Sequence, residues 1–131
     1  MSVFTPAERD YLSTQSLARL ATASSAGRPD VAAVGFSVDG DDIVSGGLDL
    51  TKTVRYRHLS TNPRATVIID DLASTDPFTP RGVKVSGPAT LEDAGGSLHI
   101  RIRPTTIWSW GDRQGAPARF AGVEKRYIQS D

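Results

Sequence analysis

Cysteine is absent from this sequence, and so is any long uninterrupted run of apolar residues. Without cysteine the chain has no disulfide, no thiolate nucleophile and no sulfur ligand for a metal. No apolar run approaches the roughly 18 residues that a membrane-spanning helix needs, and the N-terminus lacks a basic-then-apolar signal pattern. We therefore expect a cytoplasmic protein that does not use a membrane as a partner.

An excess of either charge is also lacking, because 15 Lys and Arg residues balance 15 Asp and Glu residues. Such a chain has no overall field that would attract nucleic acid, so we expect none as a partner. Hydrophobic residues make up only 38% of the 131 residues, which is low for a self-sufficient monomer. We expect one domain over residues 1–131 that completes its core or its site at a subunit interface.

Residue patterns for several common chemistries are missing. His58 and His99 lack the spacing of metal ligands, so the sequence predicts no metal site. Asp70 and Asp71 are adjacent, and neighbouring side chains on a strand face opposite sides, which argues against an acid/base pair. No Ser-His-Asp set is evident, and the catalytic residues remain unassigned.

Short strands with turn residues between them dominate the pattern. Thr5, Pro6 and Glu8 form a capping box that predicts a first helix, ending near Thr14. We predict strands at 17–23, 30–38, 43–48, 64–70, 83–91, 98–102 and 107–111, a helix at 51–60, a turn at 92–96, a loop at 72–82 and an irregular tail at 112–131. So many antiparallel strands in about 110 residues predict a small closed barrel, because closure removes exposed edges.

Small residues are concentrated in the first two predicted strands. The segments 17–23 and 31–36 are rich in alanine and β-branched residues and are joined by a turn at Gly27 and Pro29. Small side chains leave room for a flat molecule to lie against the backbone. A β-hairpin with a thin hydrophobic core explains the same pattern. The residues that follow in the chain favour instead a shelf, which is a flat surface of small residues on which a cofactor lies.

A cluster of cations follows a double glycine. Gly46 and Gly47 end a predicted strand, and the segment after them carries Lys52, Arg55 and Arg57. Glycines let backbone amides approach a ligand, and a helix start with nearby cations favours a phosphate or carboxylate. A solvated basic helix that binds nothing fits the same residues. We favour the anion site because glycines and cations coincide where a strand meets a helix.

Two tryptophans lie near the end of the predicted sheet. Trp108 and Trp110 are two residues apart, so both side chains point to one face of a strand. Paired indoles at this spacing are typical of a core or of a seam between two subunits.

The whole pattern resembles the pyridoxamine 5′-phosphate oxidase-like superfamily, and most closely its branch of F420-dependent enzymes. The likeness runs from about residue 4 to residue 111. The superfamily-like segments are 17–22, 27–29, 34–36, 52–57, 62–64 and 81–87, and those typical of the branch are 70–72, 80–82, 100–104 and 110–111. The resemblance implies a mainly β fold, the FMN-binding split β-barrel, with short helices.

The resemblance also implies a homodimer with two identical cofactor sites at its interface. It places the cofactor ring near the second strand, the phosphate at the basic segment, and the residues before the fifth strand within reach of the cofactor. These positions are Ala33, Val34, Gly35 and Phe36 for the ring, Gly46, Gly47, Lys52, Arg55 and Arg57 for the phosphate, and Pro80, Arg81 and Gly82.

The function that this likeness implies is that of an F420-dependent oxidoreductase. Such an enzyme uses the deazaflavin F420 to transfer a hydride to or from a small conjugated organic substrate. Two alternatives stay open: an FMN-dependent oxidase or reductase, and a carrier or sensor that binds the deazaflavin without turnover. The anion site does not distinguish F420 from FMN, because both carry a ring and a phosphate.

Overall fold

A computed structural model of the chain describes residues 2–111 and 123–129. These residues are mostly β, with two short α-helices and one 3₁₀ turn. In chain order the elements are α1 Pro6–Ser13, β1 Leu17–Ala23, β2 Pro29–Gly35, β3 Ser37–Asp39, β4 Asp42–Ser45, the 3₁₀ turn Leu50–Lys52, α2 Val54–Thr61, β5 Arg64–Thr75, β6 Phe78–Ala94, β7 Ser97–Ile102, β8 Thr106–Trp110 and β9 Glu124–Tyr127. None of the described helices is long and apolar enough to cross a membrane.

One antiparallel sheet contains all of these strands. Its order is β2-β1-β5-β6-β7-β4-β3, with β8 paired to β6 and β9 paired to β8. The strand β6 is 17 residues long, and it pairs with β5 and β8 through its first part and with β7 through its last part. The two halves of the fold therefore share a single continuous strand.

The sheet curls but does not close. The strands β2 and β3 lie at opposite ends of the order, although only Phe36 separates them in the chain. Within residues 2–111 and 123–129, no ladder joins β2 to the other end of the sheet; instead the Ser45 hydroxyl of β4 donates to the Gly35 carbonyl of β2 at 2.9 Å. The split barrel is thus confirmed, whereas the prediction of a closed barrel is wrong, because the chain turns at Phe36 before its edges can pair.

The inner face of the curled sheet holds the core. Buried and exposed positions alternate along β1, where Ala18 and Leu20 point inward while Leu17, Arg19 and Ala21 point outward. The buried residues from the other elements are Phe4, Leu12, Val34, Ile43, Leu50, Leu59, Ala65, Val67, Ile69, Val83, Val85, Ala89, Ile100, Ile102 and Ile107. The outward face of the same strands remains exposed.

The predicted segments differ from the structure mainly at their ends. The predicted strand 30–38 is broken at Phe36, and the strand 43–48 ends at Ser45. The predicted helix 51–60 is two elements, because Thr53 is extended (φ −94°, ψ 156°) and separates the 3₁₀ turn from α2, which it caps by accepting from the Tyr56 amide. The turn predicted at 92–96 is shorter, since β6 continues to Ala94.

The largest difference concerns the predicted loop 72–82. The strands β5 and β6 continue through it and pair up to Thr75 and Phe78, with a bulge between Leu72 and Ser74. Proline is tolerated here because these strand ends have no further neighbour that needs an N–H donor. Of the predicted irregular tail, residues 124–127 form β9, and 112–122 and 130–131 lie outside the described residues.

The first helix is tied to the last strand by a buried ion pair. Glu8, whose side chain is 2% exposed, completes the predicted capping box with Thr5 and also accepts from Arg126 Nη1 at 2.8 Å. Burial alone would raise the pKa of Glu8, but hydrogen bonds from Arg126, Ser109 and the Thr5 amide hold it below its usual value. The Glu8 carboxylate therefore contributes stability as an anion.

We expect Arg126→Ala to lower the free energy of unfolding by about 2–3 kcal/mol at neutral pH, because a buried carboxylate then loses its charged donor. A depressed carboxyl pKa contributes stability above its unfolded value and loses it as the pH falls. The difference from wild type should therefore shrink as the pH is lowered through the acidic range. Urea unfolding of the wild type and the variant, at neutral pH and at acidic pH, measures this difference in the free energy of unfolding. Arg28→Ala, which lies in an exposed turn, is the control. Equal effects of the two variants would contradict the prediction.

Candidate active site

The predicted ring shelf lies beside the split in the barrel. Ala33 and Gly35 face outward from β2 and are exposed, whereas the Val34 side chain points into the core. Phe36 is half-buried and packs against the core at the turn between β2 and β3. The backbone of Ala33 and Gly35 and the Ala33 methyl group thus present the surface of β2 to a flat ligand.

The basic segment contains an arginine that is folded over a glycine. An added Cβ at Gly47 would lie 2.7 Å from Arg55 Nη2, so the guanidinium occupies the space that any larger residue would take. Arg55 Nε is buried and has no hydrogen-bond partner. A buried donor without a partner costs about 1–3 kcal/mol, and a bound anion removes that cost. We define Gly46, Gly47 and Arg55 as the anion clamp.

The other two predicted cations lie outside this contact. Lys52 and Arg57 are both exposed, and neither forms an ion pair within residues 2–111 and 123–129. Gly46 is equally open, because an added Cβ there would meet nothing within 4 Å. The structure therefore separates Arg55, which is held in place, from two cations that can approach a ligand only from solvent.

The third predicted group, Pro80, Arg81 and Gly82, lies at the start of β6. Arg81 donates to both carboxylate oxygens of Asp71, at 2.7 Å from Nε and 3.0 Å from Nη2, and lies 5.3 Å from the centre of the Tyr11 ring. Asp71 also accepts from the Tyr11 hydroxyl at 3.0 Å and from Gln15. This bidentate pair fixes the plane of the guanidinium.

The same contacts shift the ionisation of two groups. The Arg81 guanidinium is the main reason why the pKa of Asp71 lies below its usual value, so the aspartate remains an anion. Burial, together with the Asp71 carboxylate, raises the pKa of Tyr11 well above the usual value of a phenol. Tyr11 consequently holds its proton firmly and is a poor general acid.

Close packing surrounds Gly82 and Gly111. An added Cβ at Gly82 would lie 2.5 Å from Trp110 Cζ2, so the indole lies directly on the glycine. Gly111, at φ 107°, faces the Arg81 backbone in the same way. A cavity of about 360 Å³ opens here between α1 and the sheet, lined in part by Tyr11, Arg81 and Trp110.

The two tryptophans share the outward face of β8, as their spacing predicts. Trp108 lies between two lysines, with Lys84 Nζ 4.1 Å and Lys125 Nζ 5.4 Å from the indole centre. Both indoles are half-buried, so neither belongs to the inner core.

The register of the sheet shows how far apart the groups lie. Gly35 is opposite Leu17, and Asp70 is opposite Gly82 and aligns with Leu17 through the β1–β5 register. Three strand spacings separate Gly35 from Gly82, which is about 15 Å along the outward face. The shelf lies next to the strand end that leads into the clamp, because the Ser45 hydroxyl donates to the Gly35 carbonyl. Pro80, Arg81 and Gly82 lie farther along the outward face.

A cavity of about 750 Å³ lies at the other end of the outward face and contains none of the predicted site residues. Small residues such as Ala21, Ala23 and Gly87 line it, and Arg64 is its charged residue. We place the site at the clamp instead, because in the described part of the chain the clamp holds a buried donor without a partner, Arg55 Nε, and the residues of this cavity hold none.

Sequence reasoning missed the partners that position Arg81. The sequence assigns Tyr11 no functional role, and for Asp70 and Asp71 it argues only against an acid/base pair. Their contacts span 60 and 10 positions in the chain, so no local pattern reveals them. The glycines and the arginine of the clamp, in contrast, lie close together in the sequence, so a local pattern was enough to predict them.

Comparison with protein families gives one match over most of the chain. The family model described as pyridoxamine 5′-phosphate oxidase matches residues 4–118. A 5a,11a-dehydrotetracycline/5a,11a-dehydrooxytetracycline reductase from Streptomyces rimosus subsp. rimosus is 32% identical over 118 residues, covering 82% of this chain and 83% of the reductase.

Solved structures of the same fold bind different cofactors. An FAD-binding protein from Mycobacterium smegmatis superposes with a TM-score of 0.64 at 19% identity, over 85% of this chain and 96% of its own. A heme-binding protein from the same organism superposes with a TM-score of 0.70 at 18% identity, over 97% of this chain and 60% of its own. At these identities the likeness establishes the fold alone.

We expect Tyr11 to ionise well above the usual pH of a phenol, because burial and the Asp71 carboxylate oppose its phenolate. Near-ultraviolet absorbance of tyrosinate during an alkaline titration measures this. Tyr11→Phe should remove a step at high pH, and Asp71→Asn should move that step to lower pH. If Tyr11→Phe instead removes a step at the usual pH of a phenol, the Tyr11–Asp71 contact does not exist in solution.

Proposed function

This chain belongs to the pyridoxamine 5′-phosphate oxidase family, and from that premise we propose that it is an oxidoreductase that uses the deazaflavin F420. Its family model covers most of the chain, and a relative of nearly the same length is a reductase. We propose hydride transfer between the deazaflavin and a small conjugated organic molecule, of the kind that the relative's name describes.

The observation that carries the proposal is the unpartnered donor of the clamp. Arg55 Nε is buried without a hydrogen-bond partner, and its guanidinium lies against a glycine that leaves room for it. Elsewhere in the fold, the buried charge of Glu8 is matched by an arginine. A phosphate group fits the donor set at the clamp, because an arginine beside exposed backbone binds such an anion with several hydrogen bonds.

The cofactor, when bound, supplies the hydride chemistry, and the protein supplies position and surroundings. The clamp would hold the phosphate, and the exposed backbone at Ala33 and Gly35 would support the ring. Lys52 and Arg57 would add charge from the solvent side. We do not propose Tyr11 as a catalytic acid, because its raised pKa keeps the proton on the phenol.

We propose that the protein acts as a homodimer with its sites at the interface. The outward face of the sheet leaves Leu17 and Val31 exposed, and the half-buried indoles Trp108 and Trp110 lie on that same face. Burial of such a face against a second copy would remove this apolar surface from water.

Two alternative functions predict a different cofactor or no turnover of the cofactor. An FMN-dependent oxidase or reductase would use the same clamp, because FMN also carries a phosphate. A carrier or sensor would bind the deazaflavin and never oxidise it. Neither is favoured by a contact in the described residues, and the experiment below separates both from the proposal.

We expect the deazaflavin to bind more tightly than FMN when the purified protein is titrated with each by fluorescence. Tight FMN binding, with FMN retained through gel filtration, would support the flavin enzyme instead. Oxidation of reduced F420 by conjugated enones in the presence of protein tests turnover. Binding without turnover across a broad enone panel would favour the carrier.

We expect Arg55→Ala to weaken deazaflavin binding about ten- to a hundredfold, the usual effect of a lost charge-assisted hydrogen bond. Gly47→Ala should also weaken binding, because its methyl group displaces the guanidinium, whereas the matched variant Gly46→Ala enters open space. Lys52→Ala and Arg57→Ala should have smaller effects. The melting temperature of the empty protein should change little in all five variants, and wild-type affinity in Arg55→Ala would remove the clamp from the site.

A further inference from the structure

A buried polar contact joins α2 to the end of β1. His58 Nδ1 lies 3.0 Å from the Thr22 hydroxyl, and the two residues are 8% and 5% exposed. An apolar pair would fill the same space without the cost of taking two polar groups out of water. The polar pair adds direction instead, because a hydrogen bond fixes the distance and the angle between the two elements that it joins.

The helix α2 depends on such contacts for its position. It is eight residues long, and an isolated helix of that length is unstable in water, so tertiary contacts hold it in place. Its buried residues are His58 and Leu59. Packing of Leu59 is apolar and has no preferred direction. The rotation of the helix on the sheet is therefore set by the contact of His58 with Thr22 and by the bond from Asn62 Nδ2 to the Ala23 carbonyl at 3.2 Å.

The same helix carries the arginine of the clamp. Arg55 precedes His58 by three residues, and side chains at this spacing share one face of a helix. A helix with its side chains is about 10–12 Å across, so a rotation of about 20° moves the end of a side chain by about 2 Å. A movement of that size breaks a hydrogen bond, whose heavy atoms lie about 2.7–3.2 Å apart. The contact at His58 therefore controls where the Arg55 guanidinium lies.

We propose that His58 is a positioning residue of the cofactor site: with Thr22 it fixes the rotation of α2 and so holds Arg55 against Gly47, with Nε available to an anion. The inference rests on the proposed function and adds a residue that acts through Arg55. The buried Nε without a partner supports it, because an arginine free to move would turn that donor toward water. The donor is thus held in place before the cofactor binds.

The first test uses the empty protein. NMR follows exchange of the Arg55 Nε proton with solvent, and Arg55→Lys identifies its resonance by loss of the signal. Thr22→Val removes the hydroxyl that faces His58. We expect the proton to exchange about five- to tenfold faster in Thr22→Val, the effect of losing one neutral hydrogen bond that keeps the side chain buried. An unchanged exchange rate overturns the inference and leaves the proposed function intact.

The second test is a double-mutant cycle on the affinity for F420, measured by fluorescence titration. Thr22→Val and His58→Leu should each weaken binding about three- to tenfold. In a protein that already carries Arg55→Ala, neither change should weaken binding further, because the group that they position is gone. Losses that add in full to the loss from Arg55→Ala overturn the inference.

A purely structural role of His58 predicts other results. The melting temperature would fall in His58→Leu, while the affinity of the folded protein, measured well below that temperature, would equal that of the wild type; this outcome overturns the inference. His58→Asn places an amide near the position of Nδ1 and keeps a hydrogen-bonding group for Thr22. We expect His58→Asn to retain most of the affinity that His58→Leu loses, and equal losses in the two variants overturn the inference.

Thr61→Val is the matched control. It is the same substitution as Thr22→Val, but the Thr61 hydroxyl donates to the His58 carbonyl within α2. We expect wild-type affinity and wild-type exchange of the Arg55 proton, and losses equal to those of Thr22→Val overturn the inference. A wild type that binds FMN and not F420 overturns the proposed cofactor, and the same cycle with FMN then decides the inference. A wild type that binds neither overturns both.

Discussion

The strand β6 is the constraint on which the rest of this fold depends. It is the shared neighbour of β5, β7 and β8, so the curled sheet is assembled around one continuous backbone ladder. Its first residues form a hairpin with the end of β5, and its last residues pair with β7 in the other half of the barrel. A one-residue change in its register would turn every inward side chain outward.

Two charged side chains in this protein differ in how their polar atoms are partnered. Glu8 is enclosed by donors that the fold itself provides, and its role is complete without a ligand. Arg55 is held by packing against Gly47 but lacks a partner for one donor. The first arrangement is typical of a stabilising contact, and the second is typical of a group whose partner arrives from outside.

The sequence predicted what local patterns encode and missed what distant contacts decide. Alternation along β1 and the capping box at Thr5 are local, and both are present in the structure. Pro77 and Pro80 suggested a loop at 72–82, but proline is compatible with strands that have no further neighbour. The double glycine led to Arg55, whereas Asp71 and Tyr11 became visible only once the sheet brought them to Arg81.

The unpaired junction between β2 and the far end of the sheet has a mechanical meaning. Separating two paired strands requires several ladder hydrogen bonds to break together, but this junction is spanned by the hydroxyl of Ser45. Rotation of one serine side chain releases it, at a cost of about 1 kcal/mol. Opening the sheet beside Gly35 therefore breaks fewer hydrogen bonds than separating any two of its laddered strands.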